Sequence, residues 1–172
     1  MLPDGLPTPD DDAPSETELE EGLQNNVSNF LRYILTDGAP PTLAEIDQGL
    51  SMINRAYAID ADLVEPSFGD LYFEDRLLAE IELNIPDDDV FEDDVADIIE
   101  ELQKQDDPNR EIPLRVMGDA TGMVAINLKR DGYDNFGLVR PLLDWLFDHR
   151  KGLLQIDLDG FYDRDQRIIA LL

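Results

Sequence analysis

The chain has no cysteine, one histidine and one tryptophan in 172 residues, and only three of its basic residues are lysines. Without cysteine there is no disulfide, no thiol nucleophile and no thiolate metal ligand. The sole histidine, His149, closes a helical pattern beside Arg150 and Lys151. Cations suit the last turn of a helix, so dipole and solvent account for it without a catalytic role. Trp145, one position off the apolar stripe of that helix, reads as a core-edge residue. No apolar run approaches the roughly 20 residues that a membrane span needs. The first residues carry neither the basic nor the apolar stretch of a secretion signal, which points to a cytoplasmic protein. Long basic runs are also missing. The adjacent basic pairs are Lys129-Arg130 and Arg150-Lys151, with Asp131, Asp134 and Asp148 close to them. Nucleic acid and anionic lipid surfaces are therefore poor partners.

Acid is what the chain has in excess. Forty Asp and Glu face thirteen Lys and Arg, for a net charge of −27. The excess is uneven: −9 over residues 1–59, −16 over 60–110 and −2 over 111–172. Residues 87–107 alone hold eleven carboxylates and one lysine. Asp outnumbers Glu 27 to 13 and Arg outnumbers Lys 10 to 3, a balance typical of proteins adapted to a salt-rich cytoplasm. Such adaptation should make every surface acidic, which the near-neutral last third does not match. A localised negative field instead suggests a positive partner.

Forty-two per cent of the residues are hydrophobic, enough for a real core in a chain of one-domain length. Residues 1–14, rich in proline and aspartate, read as a solvated acidic tail. Residues 15–59 read as a helical hairpin. The first helix follows a capping-box spacing at Ser15–Glu18, with Leu19, Leu23, Val27, Phe30, Leu31, Ile34 and Leu35 on one face. Gly38 and Pro40-Pro41 end it, and Thr42 with Glu45 caps the second. Residues 60–76 read as a linker.

Residues 77–172 read as an α+β domain. Ile81, Leu83 and Ile85 alternate with Glu80, Glu82 and Asn84 as in a half-buried strand. Asp89 caps an amphipathic helix, with Glu92 in the reciprocal position and Phe91, Val95, Ile98, Ile99 and Leu102 inward. Strands follow at Ile112–Met117 and Val124–Leu128, then a helix over about 135–150, then a strand at Leu154–Leu158. Arg167–Leu172 supplies an extra C-terminal edge strand. The order β-α-β-β-α-β is that of a ferredoxin-like sandwich with strand order 4-1-3-2, a topology that says little about function. The sheet face away from the helices would show no aromatics for base stacking, which argues against direct nucleic-acid binding.

The best candidate site is acidic: Asp87, Asp88, Asp89, Asp93, Asp94, Asp97, Glu100 and Glu101, with Asp93, Asp97, Glu100 and Glu101 projecting away from the apolar face of one helix. Like charges at i, i+4 destabilise a helix by a few tenths of a kcal/mol per pair, so such a face invites a functional reading alongside simple solvation. Glu80, Glu82, Asp157 and Asp159 form a weaker candidate for a hard divalent cation, if the two strands are neighbours. The run from Asp157 does not make an EF-hand loop, because its sixth position is Tyr162 and its twelfth Ile168. No catalytic residues and no cofactor are implied. The expectation is a non-enzymatic inhibitor, immunity protein or DNA mimic that neutralises a basic, nucleic-acid-acting protein. The alternatives are a salt-adapted structural protein and a small cation-binding enzyme. The stripes of the helical hairpin need a covering surface, which a sheet edge, the outside of the two helices or a second copy of the chain in a homodimer would provide.

Overall fold

The computed structural model describes residues 18, 19 and 29–171. They form a mixed α+β structure with strands β1 (Phe30–Leu35), β2 (Tyr57–Ala61), β3 (Phe68–Phe73), β4 (Arg76–Asn84), β5 (Gly122–Leu128), β6 (Gly152–Ile156), β7 (Gly160–Asp163) and β8 (Gln166–Ala170). The helices are α1 (Leu43–Ile53), α2 (Asp89–Gln103), α3 (Glu111–Gly118), α4 (Arg130–Asp134) and α5 (Phe136–His149), with a 3-10 turn at Pro108–Arg110. All eight strands join one sheet in the order β2-β3-β4-β5-β1-β6-β7-β8. Every pairing is antiparallel.

This is not the ferredoxin-like order. The main reason is β1. Residues 30–35, expected to finish the first helix of a hairpin, are a central strand between β5 and β6. A strand in that position is buried on both faces, so it reads as a continuous apolar run, and such a run mimics helical periodicity. Leu31, Tyr33 and Leu35 belong to one core cluster, and Ile34 to the other. The earlier part of the expected helix and the acidic tail over 1–14 lie outside the described residues, except Glu18 and Leu19. Those two are helical, and Leu19 is buried in the first cluster.

Residues 60–76 are not a linker, because they complete β2 and form β3. The division into hairpin, linker and domain therefore gives way to one sheet. Residues 112–117, expected as a strand, lie in α3, where Pro113 and Met117, four apart, are the buried pair. Other expectations hold. Thr42 caps α1 by accepting from the Glu45 amide at 3.1 Å. Alternation in β4 buries Ile81 and leaves Glu80 exposed, but it breaks at the strand's end, where Asn84 is buried beneath α2's cap and Ile85 is exposed. The apolar face of α2 buries Phe91, Ile98 and Leu102. A final edge strand, β8, closes the sheet.

The helices cover both faces of the sheet rather than one. On the first face, Leu43, Ile46 and Leu50 of α1 and Val139, Leu142, Leu143 and Leu146 of α5 join Leu31, Tyr33, Val124, Ile126 and Leu154. The contact of α1 with α5 is close: a Cβ on Gly49 would lie 2.0 Å from Trp145 Nε1. Leu43, Ile46 and Leu50 of the α1 stripe are thus covered inside the chain, while Ile53 at its end is exposed. On the second face, Phe91, Ile98 and Leu102 of α2 and Met117 of α3 pack on Ile34, Met123, Leu153, Phe161 and Ile169. That cover lies over β1, the start of β5, and β6 to β8. It leaves the second face of β3 and β4 without an apolar cluster among the described residues.

Candidate functional site

Alternation dictates what the second face presents. Arg32 on β1 lies opposite Ala125 of β5 and Gln155 of β6. Glu82 on β4 pairs with Ala125 on one side and Phe68 on the other. Asp70 on β3 pairs with Glu80 and, across the other edge, with Asp60. These residues share one surface that runs up to the wall formed by α2.

Arg32 sits at its centre. The guanidinium Nε donates to Asp94 of α2 at 2.9 Å, and Nη1 donates to Gln155 at 3.0 Å and to Asp157 at 2.6 Å. Its side chain is 12% exposed. The guanidinium lies 4.4 Å from the centre of the Phe30 ring. One cation thus holds two carboxylates and ties the acidic helix to the sheet. Breaking such a pair by removing one partner leaves a half-buried charge uncompensated.

The acids named from the sequence divide into working groups. Asp88, not Asp89, caps α2, its side chain accepting from the Val90 amide at 3.1 Å. Asp87 precedes it with a φ of 78°, a left-handed turn conformation. Asp94 faces inward to Arg32. Glu100 and Glu101 share Lys104 at 3.4 and 3.1 Å. Asp89, Asp93 and Asp97 are exposed and have no ion-pair partner among the described residues. The helix therefore has one acid turned inward to Arg32, two paired with Lys104 at its end, one capping acid before it and an open acidic row.

Two clefts open on this side, one between the helix and the sheet and one on the sheet alone. One, of about 430 Å³, is lined by Arg32, Asp94, Asp97, Glu101, Asp157 and Leu158. The other, of about 370 Å³, is lined by Phe30, Phe68, Asp70, Glu80, Glu82 and Asn127. In the second, burial holds the Glu82 carboxyl above the usual glutamate range, and the charges of Asp88 and Asp94 push it the same way. Burial likewise raises Asp70, helped by Glu80 and Asp60 and opposed by Lys129. In its hydrogen-bonding orientation, the buried Asn84 amide donates to Glu82 at 2.9 Å and to Asp88 at 3.3 Å. Lys129 pairs with Glu80 at 2.9 Å.

The weaker cation-binding set is pulled apart. Glu80 and Glu82 stand on β4 and Asp157 follows β6, with β5 and β1 between them. Three strand spacings amount to roughly 14 Å. Asp159 is engaged by the Tyr162 hydroxyl and lies 3.6 Å from Arg167. No group of three or more His, Asp or Glu among the described residues is placed to hold a metal ion. His149 stacks on Trp145 at 4.3 Å between ring centres, and its Nδ1 lies 2.8 Å from the Trp145 carbonyl oxygen.

Arg32, Phe68 and Asp70 did not emerge from the sequence as site residues. A signal existed for Arg32, the only base among the first 54 residues, set within an apolar run. Phe68 and Asp70 fell in the segment read as a linker. No helix among the described residues is long and apolar enough to cross a membrane. The chain matches no protein-family model, no curated protein and no solved structure.

Proposed function

We propose that this protein is a non-enzymatic binding protein that docks a basic, nucleic-acid-acting partner on its acidic side and blocks it. The observation that carries the reading is the continuity of the acidic surface. The open row of α2, with Asp89, Asp93 and Asp97, shares its helix with Asp94 and follows the cap Asp88, whose charges both act on Glu82 of the sheet, and Glu82 shares β4 with Glu80, which pairs with Asp70. The bases beside this surface are already engaged: Arg32 by Asp94 and Asp157, Lys129 by Glu80, and, at the far end of α2, Lys104 by Glu100 and Glu101 and Arg110 by Glu111. A surface of one sign accelerates encounter with a partner of the other sign and discriminates against like-charged molecules. Carboxylates repeated along a helix would occupy the basic groove that otherwise takes a phosphate backbone.

The test is a binding titration against the basic proteins encoded beside its gene, with Asp93, Asp97, Glu100 and Glu101 all changed to lysine. These side chains are exposed, so the fold should survive, and circular dichroism checks that it does. Affinity should fall by about 100-fold or more, as expected when charge pairs at an interface are reversed. Binding that is unchanged by the four reversals would sink the reading.

A further inference from the structure

The second face of the sheet holds two ring-and-carboxylate arrangements, and this chain fills one of them with its own arginine. On β1, Arg32 lies over the Phe30 ring at 4.4 Å and is held by Asp94 and Asp157. Across β5 and β4 the same elements recur. Phe68 stands opposite Glu82, and Asp70 opposite Glu80. Phe68 is 42% exposed, a large apolar surface left open beside partly buried carboxylates. Phe30 and Ala125 continue the cleft toward the Arg32 site. Glu80 has Lys129, but no Lys or Arg lies within ion-pair distance of Glu82 or Asp70 among the described residues.

We propose that this cleft receives an arginine side chain of the partner, its guanidinium against the Phe68 ring and paired with Glu82 and Asp70. The proposal rests on the docking reading above and states what the docked partner must present. Charge complementarity favours a cation. Burial and neighbouring acids raise both carboxyls, offset only in part at Asp70 by Lys129, so an added cation would favour their ionised forms. The exposed ring favours arginine over lysine, because a planar, weakly hydrated guanidinium stacks on an aromatic face and can pair with a carboxylate through two donors. The methylene stem would cover the apolar floor at Ala125.

The test uses the full chain and two blocked peptides of equal charge, alternating Arg-Gly and Lys-Gly, titrated by fluorescence anisotropy at about 150 mM KCl. The arginine peptide should bind about tenfold more tightly. Phe68→Leu should bring the two peptides to within about twofold by weakening the arginine peptide alone. Glu82→Gln should narrow the preference in the same way, and it carries the test if the Phe68 variant does not fold. Reversal of the α2 acids should weaken both peptides and keep their ratio. Equal binding of the two peptides by the unaltered chain would overturn the cleft and leave docking on α2 standing. A preference that survives both cleft variants would also overturn it. Failure of both peptides to bind would count against the docking reading itself, and with it the cleft.

Discussion

On one face of the sheet, Leu31, Tyr33, Val124, Ile126 and Leu154 disappear beneath α1 and α5. On the other, the residues one step along the same strands are Arg32, Ala125 and Gln155, and the cover stops at α2 and α3. The first face is a core: its residues are almost fully buried and its tolerance for change is low. The second is half core and half surface, with acid gathered where the cover ends. Strand alternation makes such a division cheap, because each face can be composed without disturbing the other. What the contrast teaches is where to seek stability and where to seek function.

Leu146→Ala on the first face should produce the largest effect. Leu146 is 0% exposed, and a deletion of this size in a packed core costs about 3 kcal/mol, read by urea unfolding. A much smaller loss would mean that the first face is not the main core. Arg32→Ala comes next, at about 2 kcal/mol, because Asp94 and Asp157 would lose their shared cation. Adding Asp94→Asn should restore part of that loss. If it restores nothing, Arg32 acts through packing on Phe30 rather than through charge.

Glu82→Gln should have a smaller effect of the opposite sign. Its carboxyl titrates higher in the fold than its ordinary value of 4.5. The ionised form therefore weakens the fold at pH 7, and this penalty vanishes as the pH falls below the unfolded value. The variant should gain about half a kcal/mol or less at pH 7 and nothing near pH 3, measured by thermal unfolding. A gain that persists in acid would point to packing instead.

Salt should matter least. From about 50 mM to 3 M KCl the unfolding transition should stay cooperative and shift by only a few degrees, because the first face carries the stability. A fold that needs molar salt would turn the acidic side into a hydration adaptation and remove its claim as a docking surface.

Much of the local structure was legible in the chain. The Thr42–Glu45 cap, the alternation of β4, the acidic and apolar faces of α2, the helix at Phe136–His149 and the edge strand β8 all follow spacing rules that act within one element. The capping residue of α2 was misread by one position, Asp89 for Asp88, because three consecutive aspartates offer the same chemistry. Residues 30–35 and 111–118 were misread for a different reason. The first is apolar at every position but Arg32, and the second carries apolar residues at both alternating and helical spacing, so neither has a period that distinguishes strand from helix.

The sequence alone determined that acid concentrates between residues 60 and 110, that one helix carries an open row of it, and that thiol chemistry is absent. Only the tertiary structure decided that β1 takes the centre of the sheet and that α2 and α5 lie on opposite faces. It also decided that Arg32 meets Asp94 and Asp157, and that Phe68 and Asp70 join Glu82 in one cleft. These contacts link residues from about a dozen to more than a hundred positions apart. They depend on which strand pairs with which, and periodicity within a segment carries no information about that.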